Sequence, residues 1–489
     1  MLKKFTILGE RCSGTNFLEE VMLKNFPLEI TWEYGWKHWY SYSSSYPNSD
    51  DTLFIGIIRD PVQWINSFYK TPHHVPNHLK KITSFIDEEF YSVHNNSESE
   101  NNVDRNPNTS GRFTNLIELR NVKLDYLIDK MPKKVKNYIL INYEDLLYNY
   151  NNVIFRIAKK INFEIKDIKD ITHIKINSEK YFHARTIFNH SHLNLPLENL
   201  AGYFCENFEI SNEYRVRYYL SNLKLQEIPE NTVRKNISPD EYSIITQDSE
   251  ANNVGCYLTD IKKIFKQDEY KIICIFGDMM NQNSYNSFSK CRLIESTNRR
   301  VLLKLDSSRH WAHFNEVSLN DIDFFSKKNK LMWRGTFSTG KRRFEFKDFV
   351  EKNKNENLDI LNVEPGNSVN RLSIKEQLEC KFLLSVEGND VASNLKWISF
   401  SQSCVLMPIP TCVTWFMEDH LMPYVHYIPI ESDFSDIEFQ YNWCMDNLDF
   451  CNKVALNGKE YVKKFLDLEN ESKIEKEVIE GYFEMTKII

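Results

Sequence analysis

Residues 9–16, GERCSGTN, separate an apolar run, FTIL, from an amphipathic stretch, NFLEEVMLKNF. Gly9 and Gly14 permit a tight turn whose amides converge on an anion, and the dipole of the following helix favours negative charge. Ser13, Thr15 and Asn16 add donors, and Arg11 adds a fixed charge able to bind bidentately. Thr15 stands where a nucleoside-triphosphate loop of the form GxxxxGK[ST] carries lysine. An ordinary capped turn would use the same residues. Further on, GIIRDPVQWINSFYK places Arg59 at a strand end and Ser67 eight residues later in a helix. Two helical turns can bring that hydroxyl and that guanidinium around one phosphate; a turn ion pair with Asp60 and a backbone-bonded serine are the plainer readings. Between the two stretches, EYGWKHWY offers Lys37 as a charge stabiliser and His38 as a base.

A second constellation lies far downstream. KLMWRGTFSTGKRRFEF ends a strand at Arg334 and continues into a basic loop with Arg342. VEGNDVASNLKW presents Glu387, Gly388, Asn389 and Asp390 before a helix expected to open near Ala392 and Ser393. A diphosphate resting on that helix start, neutralised by arginine, would need no metal. No acidic or histidine cluster has metal-ligand spacing.

These residues require strand-end positions, and the chain supplies them. FTILG, TLFIGIIRDP and NYILINYEDL read as strands alternating with helices, which implies a parallel sheet. HNNSESENNVDRNPNTSGR reads as a mobile loop. A second alternation begins at YKIICIFGD and runs through RVLLKL, KLMWRG, LDILNV, KFLLSV, SCVLMP and VHYIPI, with TWFMEDHL as one of its helices. It ends in a long helical stretch from FQYNWCMD to VKKFL. At 489 residues, two α/β domains are expected, 1–200 and 205–489. The net charge of −7 argues against a nucleic-acid partner. No apolar run is long enough to cross a bilayer, so a cytoplasmic chain is expected, with peripheral contact at a membrane left open. The ten cysteines are scattered without a CxxC pair and read as reduced, mostly buried thiols.

The first constellation resembles the sulfotransferases that use 3′-phosphoadenosine 5′-phosphosulfate (PAPS). RCSGTN is similar to their [KR]-x-S-G-T-[TN] loop, and Arg59 with Ser67 to their arginine-proline motif and its serine. The resemblance implies a P-loop-type domain in which Arg11, Ser13, Gly14, Thr15 and Asn16 hold the phosphosulfate, and Arg59 and Ser67 the 3′-phosphate. It implies catalytic roles for Lys37 and His38. YEDL at 143–146 is a further family landmark. The family's glycine-rich third motif is absent; Arg120 and Lys123 in LRNVK stand as its substitute, or the domain is reduced.

The second constellation resembles glycosyltransferase family 90, of the CAP10-like, lipopolysaccharide-modifying type. The residues that carry it are FGD at 276–278, SKCRLIE at 289–295, LLKLDSSRHW at 302–311, MWRG at 332–335, the stretch 386–408 and the stretch 414–430. The resemblance implies a GT-B-like pair of Rossmann-like lobes, a UDP-sugar donor, inversion at the anomeric carbon and no required metal. Arg292, Arg334 and Arg342 match donor-side arginines, and Glu387, Gly388, Asn389, Asp390, Ser393 and Lys396 fall in the diphosphate- and ribose-side segment. The eukaryotic members place their base in an R-D pair, but Leu293 follows Arg292 here. Asp278 and then Asp306 are the candidate bases.

Together these readings predict a transferase that adds a sugar and a sulfate to one glycan or lipid-linked saccharide acceptor. Three alternatives differ in the first domain or in the whole: PAPS or glycan binding without catalysis, an N-terminal phosphotransferase, or a scaffold with no donor.

Overall fold

The computed structural model describes residues 2–40, 42–93, 104–170, 210–221, 223–233, 239–250, 254–265, 270–277, 285–294, 298–353, 355–364 and 369–489, with 237 and 366. The chain divides into two units, 1–196 with 206–211, and 197–205 with 212–489. The boundary expected near residues 200–205 lies outside the described residues.

In the first unit the apolar runs become parallel strands. These are β1 (Lys4–Gly9), β2 (Glu29–Ile30), β5 (Thr52–Ile58) and β6 (Tyr138–Asn142), ordered β2-β1-β5-β6. β3 (Gly35–Trp36) and β4 (Trp39–Tyr40) form a separate antiparallel pair. β5, TLFIGII, is buried at every position, as a continuous apolar run in a covered parallel sheet should be. Its register pairs Ile55 with Ile7 on one side and with Ile139 on the other. The helices α1 (Thr15–Asn25) and α2 (Pro61–Lys70) start directly after β1 and β5. Asp60 caps α2 by accepting from Gln63 N at 2.8 Å, with Pro61 in the first turn. Both predicted loops therefore sit at the carboxyl ends of neighbouring parallel strands.

The second unit contains two sheets. The first runs β12 (Arg300–Leu302), β10 (Ser287–Ser289), β9 (Lys271–Ile275), β8 (Tyr242–Thr246), with β8 antiparallel to β9. The second is parallel throughout. It is ordered β14 (Leu358–Asn362), β13 (Lys328–Gly335), β15 (Cys380–Leu384), β16 (Cys404–Pro408), β18 (Ile428–Ile430). Two short pairs complete it: β7 (Gln226–Ile228) beside β19 (Thr486–Ile488), and β11 (Cys291–Leu293) antiparallel to β17 (Cys412–Thr414). The core beside the second sheet joins Leu331, Trp333, Phe382, Leu384, Leu406 and Ile428 to Phe346, Tyr441 and Val454 from its helices.

Three expected elements differ. The C-terminal helical stretch is broken at Asn447 and continues after Asp467, giving helices Ile437–Asp446, Leu448–Lys463 and Leu468–Met485. Asp467 caps the last one through Glu469 N and Asn470 N. TWFMEDHL holds one 3-10 turn, Glu418–His420, rather than a helix, because Glu418 takes Thr414 N at 2.6 Å and Thr414 Oγ1 at 2.8 Å and ties the loop back. The helix expected near Ala392 and Ser393 begins only at Leu395 and ends at Phe400. The nine described cysteines are unpaired, and seven of them are buried.

Candidate functional site

In the first unit Gly14 stands before α1 with φ +95°, and a Cβ there would lie 2.2 Å from Tyr143 Cδ2. Only glycine meets both conditions. Ser13 Oγ is committed to Glu10 O at 2.7 Å, Thr15 is buried and Asn16 is exposed. Lys37 Nζ donates to Asn16 Oδ1 at 2.5 Å and to Glu19 Oε2 at 3.1 Å, so it joins the loop. His38 is buried, with its Nδ1–H donating to Gly9 O at 2.9 Å. Burial, reinforced by Lys123 and Arg11 against that bond, lowers its pKa to about 3. The imidazole is neutral, with Nε2 as its acceptor nitrogen.

Arg11, expected as the phosphosulfate cation, turns its guanidinium inward. Its guanidinium is buried, ion-paired to Asp104 at 3.0 Å, donating to His73 O at 2.9 Å and lying 4.7 Å from the Phe68 ring centroid. Arg120 and Lys123 are likewise engaged. Arg120 meets Glu10 at 2.7 Å and Arg59 O at 2.7 Å; Lys123 meets Asp104 at 2.6 Å and His38 O at 2.7 Å. Charges taken out of water need countercharges, and these found them inside the protein. Asp104 belongs to the stretch read as a mobile loop. Residues 94–103 lie outside the described residues, but Asp104 is buried, and Lys123 and Arg11 hold its pKa down against burial. Sequence reading missed it because an acidic residue in a polar run carries no sign of burial.

Arg59 borders the loop, donating to Cys12 O at 3.1 Å with its guanidinium 4.5 Å from the Tyr143 ring. Ser67 is half-buried on α2, and its carbonyl accepts from Thr71 Oγ1 at 2.9 Å. Within YEDL, Glu144 accepts from Asp60 N at 3.0 Å, and burial beside Asp60 pushes its pKa up to about 8.

In the second unit a cleft of about 270 Å³, open mouth included, is walled by Arg342, Ser385, Glu387, Val391, Ala392, Leu395, Met407, Pro408, Pro410 and Glu418. The two predicted stretches meet here. Gly340 has φ +75°, and a Cβ on it would lie 2.1 Å from Gly388 O, so the basic loop and the EGND loop touch backbone to backbone. Arg343 clamps them, donating to Val386 O at 3.0 Å and Thr339 Oγ1 at 3.1 Å. Arg342 pairs with Glu387 at 2.8 Å. Glu387 also accepts from Thr411 N at 2.9 Å and Thr411 Oγ1 at 2.6 Å. Burial raises the Glu387 pKa, and Arg342 opposes the shift. Asn389 is exposed and Ser393 half-buried, while Asp390 is buried against Lys290.

Three expected donor-side cations are committed elsewhere. Arg292, on β11, is buried, donating to the carbonyls of Tyr218 at 2.6 Å and Arg300 at 3.1 Å. Arg334 holds neighbouring β14 through Asp359 O at 2.7 Å and Asp359 Oδ1 at 2.8 Å. Lys396 is paired with Glu418 at 3.1 Å, and each side chain is 1% exposed. Each cation sits where carbonyls or a carboxylate from a distant strand or loop converge, which sequence spacing does not show. Asp278 lies outside the described residues. Asp306 is buried with φ +55°, 2.6 Å from Arg309 Nη2, 3.6 Å from His310 Nε2 and 4.0 Å from Lys290 Nζ. Sequence reading missed Lys290, His310 and Glu418, although all three lie in stretches that carry the resemblance. No group of three or more His, Cys, Asp or Glu able to hold a metal occurs among the described residues.

Parallel sheets with a charged cleft at the strand ends are the setting of an α/β glycosyltransferase. Residues 309–488 match glycosyl transferase family 90. The O-glucosyltransferase LpsA of Dichelobacter nodosus is 31% identical over 235 residues, covering 47% of this chain and 72% of that protein. The chain belongs to glycosyl transferase family 90 and is a glycosyltransferase. Protein O-glucosyltransferase 2 of Danio rerio is 29% identical over 101 residues, 21% of this chain and 20% of that protein. Uncharacterized protein 035R of Invertebrate iridescent virus 3 is 34% identical over 111 residues, 22% of this chain and 10% of that protein.

Proposed function

We propose that the second unit is a GT-B-like, inverting glycosyltransferase that moves a sugar, glucose as the first choice, from a UDP-sugar to a hydroxyl of a glycan or lipid-linked saccharide. The observation that supports this most is that the family match, residues 309–488, includes every residue that walls the cleft. In this reading Arg342 meets the diphosphate, and Glu387 positions it from the opposite loop. Asp306, held by Arg309, takes the acceptor proton as the anomeric carbon is attacked. The test is UDP release from UDP-glucose by the purified chain, with and without bacterial lipopolysaccharide acceptors. Arg342→Ala should lower the rate by at least 10-fold, and an unchanged rate would remove Arg342 from the site.

For the first unit we propose PAPS binding with sulfate transfer to the same class of acceptor. It is supported by the Gly14 loop, by Lys37 bonded to that loop, and by Arg59 beside Cys12. The commitment of Arg11, Arg120 and Lys123 to internal partners favours a second reading, in which the unit binds the nucleotide or a glycan without catalysis. Radiolabelled sulfate transfer from PAPS separates the two. We place the chain in the cytoplasm, peripheral to a membrane; cell fractionation tests this.

A further inference from the structure

Beside Asp306 lies a buried histidine without a hydrogen-bond partner among the described residues. His310 is 3% exposed, and neither ring nitrogen has a hydrogen-bond partner among the described residues. Its Nε2 lies 3.6 Å from Asp306 Oδ2, beyond hydrogen-bonding distance. Burial, together with the charges of Lys396, Lys290 and Arg309, drives its pKa well below the usual histidine range. Asp306 faces it across one helical turn, and Lys396 is paired with Glu418, which walls the cleft.

A neutral imidazole carries one N–H donor and one acceptor nitrogen. Burying both unused is costly, and the group is repaid only when something neutral and polar meets it. A diphosphate is a poor match, since it would be met by a cation. A sugar hydroxyl, which donates and accepts, matches it. We propose that His310 is a specificity-determining residue that hydrogen-bonds hydroxyls of the transferred sugar of the UDP-sugar. This deepens the donor reading above and rests on it. The sugar would lie between the diphosphate at Arg342 and the carboxylate of Asp306.

Calorimetric titration of the full chain with UDP and with UDP-glucose tests the assignment. The wild-type chain should bind UDP-glucose more tightly than UDP. His310→Phe should weaken UDP-glucose by about 10-fold and leave UDP unchanged, the loss of one or two neutral hydrogen bonds. His310→Asn, which keeps a donor and an acceptor, should recover part of the loss. Equal weakening of both ligands would make His310 a support of the cleft and overturn the proposal, as would no change in either. Binding of neither ligand by the wild-type chain would overturn the donor reading, and this proposal with it.

Discussion

Replacing Lys396 by methionine distinguishes a donor-binding lysine from a structural one. Lys396 and Glu418 are 3.1 Å apart and each 1% exposed, so neither is solvated. Glu418 also accepts from Thr414 N and Thr414 Oγ1. Lys396→Met keeps most of the volume beside Trp311 and Phe416, whose ring centroids lie 5.4 and 5.2 Å from the ammonium. It leaves the carboxylate buried without its countercharge. Breaking a buried pair in this way costs about 3–5 kcal/mol. At about 2 °C per kcal/mol for a unit of this size, Tm should fall by about 6–10 °C. Glu418→Gln in the same background removes the stranded charge and should restore more than half of the loss, a coupling read directly by a double-mutant cycle. Urea unfolding followed by tryptophan fluorescence is the assay. A loss below about 1 kcal/mol, or a double variant as unstable as Lys396→Met, would refute the structural assignment. UDP affinity that falls without loss of stability would return Lys396 to the donor.

Gly340→Ala should abolish UDP binding, because its Cβ would lie 2.1 Å from Gly388 O in a left-handed conformation, and neither loop can retreat without opening the cleft; isothermal titration reads this. Gly14→Ala should destabilise the first unit by about 1–3 kcal/mol through the clash with Tyr143, measured by thermal unfolding. His38 has a depressed folded pKa, about 3, so the unfolded chain binds the extra proton once pH falls below about 6.5. Stability from its neutral burial is complete above that pH and should fall by about 1.4 kcal/mol per unit on acidification towards pH 3. His38→Asn should flatten this acid limb in urea titrations at stepped pH.

Much of the framework was legible in the sequence. The strands of both units were readable because a covered parallel strand is an unbroken apolar run, as in LFIGII and CVLMP. The glycosyltransferase assignment was legible in the stretch from MWRG to HYIPI; that the basic loop and EGND touch backbone to backbone was not, because their distance apart in sequence hides it. Helix ends were less legible: Asn447 divides a stretch that periodicity alone runs together, and the helix after Asp467 was not read at all.

The sequence by itself determined the α/β class, the two loop systems and the family. Only the tertiary structure decided which charges are available. Arg11 and Arg334 read as ligand-binding cations from their type and their place in loops after strands, and Arg292 and Lys396 from the family resemblance. In the fold they meet Asp104, Asp359, a set of carbonyls and Glu418. Those partners lie far away in sequence, and a buried charge must be neutralised by whatever the fold brings beside it. The same physics marks His310, a buried histidine with neither ring nitrogen hydrogen-bonded among the described residues.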